Sequence, residues 1–124
     1  EGPVAAVLDW ELCTLGDALA DLAGMISSIS SHVDGSGELA STTEGFPTAE
    51  EIRQIYNEYS DPNLEHLDFY VAFNFWRMAC IVEGVYTRYA AGVMGEIDEA
   101  SINAFGNRVI ILADLAAETM NGIK

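Results

Sequence analysis

The stretch Val7-Leu8-Asp9-Trp10-Glu11-Leu12-Cys13-Thr14-Leu15-Gly16-Asp17-Ala18-Leu19-Ala20-Asp21-Leu22-Ala23 decides how the rest of the chain is read. It emerges from a short apolar run, Val4-Ala5-Ala6-Val7-Leu8, whose pattern predicts a buried strand. The strand ends at Asp9-Trp10, Leu12 to Gly16 form a turn, and Asp17 stands where a helix N-cap belongs. Leu19, Leu22, Ala23, Ile26 and Ile29 then recur at helical spacing, and the helix is expected to dissolve in the Ser27-Ser28 and Ser30-Ser31 pairs. The segment therefore delivers a carboxylate at a strand end, a Gly turn, and a helix with acids at its start and one turn in. A carboxylate held on a rigid strand end is well placed to bind a hard cation such as Mg²⁺. Spacing alone fits an ordinary surface acid equally well.

Downstream, Asp34 to Pro47 is rich in Gly, Ser, Thr and Glu and reads as a loop or short linker. Thr48-Ala49-Glu50-Glu51 is a capping box. It opens a helix with Ile52, Ile55, Tyr56 and Tyr59 on one face, stopped by Asp61-Pro62. The most apolar element runs from about Glu65 to Ala91. Its main stripe is Leu67, Val71, Phe75, Met78, Val82, Val85 and Tyr89, and Phe69, Phe73, Trp76 and Ile81 extend it to other faces. A helix apolar on nearly every side predicts a buried central helix. Gly92 and Gly95 end it, and a last helix spans about Asp98 to Met120. There Ile102, Phe105, Val109, Leu112, Ala116 and Met120 align, and Glu96, Asp98 and Glu99 favour the helix start through its dipole.

With 124 residues the chain suits one domain, and half of them are hydrophobic. Its net charge is −15, from 20 acids against five bases. A thin acidic surface beside a high apolar content points either to tight helical packing or to an apolar face that something else covers. The acidity excludes a phosphate-binding surface for DNA or RNA, which needs clustered Lys and Arg, and disfavours an anionic membrane. No apolar run reaches the length of a membrane span; the longest, Phe69 to Val82, is interrupted by Asn74 and Arg77. Cys13 and Cys80 are too few for a disulfide framework, and no signal peptide appears, so a cytoplasmic setting is expected. Glu1-Gly2-Pro3 carries no initiator Met and leads directly into the apolar run, so residues 1–124 read as a single fragment.

The pattern Val7-Leu8-Asp9-Trp10-Glu11 followed by Gly16-Asp17 and Asp21-Leu22-Ala23 resembles the aminoglycoside phosphotransferase-like kinases, which include choline-kinase-type enzymes. It is most similar to the branch fused to, or found beside, acyl-CoA dehydrogenases. The resemblance is strong over Val4 to Ala23 and weaker from Asn74-Phe75-Trp76-Arg77 to Tyr89. It implies a mainly α chain: the C-terminal helical subdomain of a protein-kinase-like fold, with one short N-terminal strand followed by about four helices. It further implies that Asp9 holds the Mg²⁺ that bridges the phosphates of ATP (or GTP), with Glu11 as a second acid near the metal. Asp17 and Asp21 are expected to be structural, Asp17 as the N-cap and Asp21 bonded to neighbouring backbone or to the catalytic loop. Ala18 stands where the family has Pro, a change of small consequence at the first helical position. The family's catalytic loop, H-(G/N)-D-x-x-x-x-N, and its nucleotide-binding lobe have no counterpart in these residues. The expected activity is therefore transfer of a γ-phosphate to a small-molecule hydroxyl in a parent enzyme, with the fragment itself inactive.

The remaining candidates carry less. His32 and His66 lack a second ligand at helical spacing and suit surface or capping roles, and both cysteines read as plain thiols. Nothing favours Asp9 with Glu11, or Asp17 with Asp21, as a hydrolase pair. Asn74, Arg77 and Glu83 interrupt an apolar helix, either as a buried hydrogen-bond set or ion pair or as the lining of the acceptor pocket. The cluster Phe69, Tyr70, Phe73, Phe75 and Trp76 reads as core rather than a ligand box, and with the upstream lobe missing part of it is expected to pair with a second copy of the chain. The alternative to the phosphotransferase reading is a non-catalytic helical interaction module, and on either reading a homodimer through an apolar helical face is expected.

Overall fold

Four helices carry the chain: α1 (Ala18–Ser30), α2 (Ala49–Tyr59), α3 (Leu67–Ala90) and α4 (Glu99–Gly122). The computed structural model describes residues 4–6, 8, 15–30, 45–60 and 63–123. The protein is mainly α, as expected, and α3 is its hub. It packs along α4 over the largest interface in the molecule and along α1 on another side, while α2 meets α1 more lightly.

The helix ends follow from local chemistry. In the capping box of α2, the Glu51 amide donates to Thr48 Oγ1 at 3.2 Å and the Thr48 amide donates to Glu51 Oε2 at 2.7 Å. Asp98 caps α4 by accepting from the Ser101 amide at 2.9 Å and the Ser101 hydroxyl at 2.8 Å. At the other end of α3, Gly92 takes a left-handed φ of 69°. The Gly92 amide then reaches the Tyr89 carbonyl and the Val93 amide the Arg88 carbonyl, both at 2.9 Å, closing a Schellman motif.

Leu19, Leu22, Ala23 and Ile26 of α1 form the core with Leu67, Val71, Phe75 and Ala79 of α3, and α2 and α4 add Ile52 and Leu112. Burying each large side chain contributes roughly 1.5–3 kcal/mol. One polar relay crosses this apolar seam: Asn74 Nδ2 donates to Ser27 Oγ, which donates to the Gly24 carbonyl at 3.1 Å. Asn74 and Ser27 are 6 % and 2 % exposed. On α4, Gly106 lets the helix close on α3, since a Cβ there would lie 3.3 Å from Tyr86 Cε2. Tyr89 and Phe105 stack beside it with centroids 5.6 Å apart.

Two expectations are corrected. The expected N-terminal strand is not seen: Val4 and Leu8 are 83 % and 81 % exposed, and no strand occurs among the described residues. A lone strand leaves its amides and carbonyls without a ladder, and four helices offer no sheet edge to complete one. On α3, α1 and α4 cover two sides only, so Phe69, Phe73, Trp76 and Ile81 face solvent instead of a core.

Two predictions follow from the seam and the caps. Asn74→Ala removes the donor that links α3 to α1 and should cost about 1–3 kcal/mol, read as a lowered urea midpoint. Hydrogen bonds from the Thr48 amide and hydroxyl hold the Glu51 carboxyl below its ordinary value, and those from the Ser101 hydroxyl and amide do the same for Asp98. Both groups ionise more readily folded than unfolded, so their stabilisation is present above the ordinary carboxylate range and is lost as pH falls through it. Thermal melts should therefore drop less on acidification for the Glu51→Gln, Asp98→Asn double variant than for the parent chain.

Candidate functional site

Asp17 follows Gly16 of the motif and immediately precedes α1. Its Oδ1 accepts from the Leu19 amide at 2.9 Å, so the expected N-cap role is borne out. Its Oδ2 accepts from the Tyr70 hydroxyl at 3.0 Å, across 53 positions of sequence. One carboxylate thus fixes the start of α1 and ties it to the first turn of α3. The Asp17 bond, with burial and the carboxylate charge adding to it, raises the Tyr70 phenol above its ordinary value.

Beside this tie lies an open cleft of about 460 Å³, bordered by Asp17, Tyr56, Ser60, Asn63 and His66. The cleft is framed by the start of α1, the last turn of α2 and the entry to α3, so residues from three elements converge on it. His66 occupies the N-cap position of α3 without a side-chain cap bond, and its carbonyl accepts from the Tyr70 amide. Arg53 of α2 pairs with Asp68 of α3 at 2.6 Å on the surface behind. Hydroxyls, an amide, an imidazole and a carboxylate around one hollow suit a small polar ligand.

Asp9 and Glu11, with Cys13 and His32, lie outside the described residues. Asp21 is exposed one turn into α1 and forms no hydrogen bond among the described residues, so of its two expected partners the neighbouring backbone is not met. Asn74 belongs to the buried relay, whereas Arg77 and Glu83 are exposed, so the three do not form one set. Cys80 is exposed too, although it lies on the helix expected to be buried. Among the described residues no group of three His, Cys, Asp or Glu side chains is placed to hold a metal, and no helix is long and apolar enough to cross a membrane. Tyr70 is the residue that sequence reasoning assigned only to core. Its link to Asp17 has no local signature, because spacing rules reach one or two turns and not 53 positions.

Residues 1–70 match the model of the phosphotransferase enzyme family, covering the motif, α1, α2 and the start of α3. The chain belongs to that family. It is 37 % identical over 119 residues to acyl-CoA dehydrogenase family member 10 of Mus musculus, an alignment covering 91 % of this chain and 11 % of that protein. It is 38 % identical over 102 residues to acyl-CoA dehydrogenase family member 11 of Rattus norvegicus, covering 72 % of this chain and 12 % of the relative. Over 127 residues it is 35 % identical to family member 11 of Gallus gallus, covering 95 % of this chain and 16 % of the relative. The chain thus spans a small part of the curated relatives it matches. No solved structure matches it.

The Asp17–Tyr70 tie can be read directly. A phenol raised in the folded state contributes stability below its ordinary range and loses it as pH rises through the raised value. In an alkaline absorbance titration, Asp17→Asn keeps an acceptor for Leu19 but removes the charged acceptor for Tyr70. It should shift the last tyrosine transition to lower pH, and Tyr70→Phe should delete that transition.

Proposed function

We propose that this chain is the C-terminal helical part of an ATP-dependent phosphotransferase that moves a γ-phosphate to a hydroxyl of a small molecule. The observation that carries the reading is the family match over residues 1–70, which contains the whole motif from Asp9 to Ala23. The cleft beside Asp17 supports it, since its polar border suits a hydroxylated acceptor. GTP in place of ATP would use the same residues, and the expected setting is cytoplasmic.

In this reading Asp9 would hold Mg²⁺, with Glu11 the second acid near it, their carboxylate oxygens being the donor type Mg²⁺ takes. Held there, the ion would supply charge neutralisation for phosphoryl transfer. The chain's own residues position and exclude: Asp17 pins the exit of the motif segment to α3, and the border of the cleft orients the acceptor hydroxyl. A base for that hydroxyl and a cradle for the nucleotide are not encoded in these 124 residues, which contain no H-G-D-x-x-x-x-N loop and no Gly-rich phosphate loop. The chain alone is therefore inactive in this reading.

The second reading is a non-catalytic helical interaction module that keeps the motif for its fold. The half-exposed aromatics of α3 suit it, because a module of that kind would meet its partner through an apolar face. Replacement of Asp9 separates the two. In the phosphotransferase containing this sequence, Asp9→Ala should reduce kcat by at least ~10³-fold, the loss expected when a transition-state charge is left uncompensated. Its circular dichroism should stay unchanged, and full turnover in that variant would overturn the metal assignment.

A further inference from the structure

We draw no further inference here: the strongest candidate, the apolar surface patch that Phe69, Phe73 and Trp76 of α3 form beside Ala113, Ala116 and Ala117 of α4, carries nothing because nothing in the structure shows what covers it.

Discussion

A relay of two hydrogen bonds, from Asn74 to Ser27 and from Ser27 to the Gly24 carbonyl, holds α1 to α3 in one register. Apolar surfaces attract without direction, and Leu, Ile and Val on facing helices would tolerate a slide of part of a turn. A buried amide does not, because leaving it unpaired costs more than the slide would return. One helical turn before Asn74, the Tyr70 hydroxyl meets Asp17 at the opening of α1. The two contacts lie at different points along the same seam, so α1 is fixed in rotation as well as in position. The cleft beside Asp17 depends on that arrangement, since its border comes from three elements whose spacing the seam sets.

Much of the fold was legible because helix signals are local. The capping box at Thr48, the cap at Asp17, the stop at Gly92 and the stripe from Leu67 to Tyr89 are all written within a turn or two, and all are in place. The strand over Val4 to Leu8 was misread for a related reason. An apolar run states that burial is wanted but not what supplies the partner, and nothing here does. The outer side of α3 failed in the same way: pattern shows that Phe69 and Trp76 are apolar, while their exposure depends on how many helices surround them.

The candidate site was legible only through its motif. Asp9 and Glu11 are an ordinary pair of acids by spacing, and it is the surrounding Trp10, Gly16, Asp17, Leu22 and Ala23 that match a family. The role of Tyr70 could not be read at all, because a phenol and a carboxylate far apart in sequence meet only once the helices have packed. The described acids are exposed, while the buried core is free of charge. That division lets a strongly negative chain retain a tightly packed interior.

The turn from Gly92 to Gly95 has a consequence for how the molecule assembles. It joins α3 to α4 with few residues, so the largest interface in the protein is also its most local one. Closing a short loop loses little chain entropy, and contacts near in sequence form early. The α3–α4 hairpin is therefore the natural nucleus, onto which α1 zips through its buried relay. Of the helices, α2, which helps to frame the cleft, is held to the body by the lightest contact, so the cleft's border draws on the most loosely packed element as well as on the best-anchored ones.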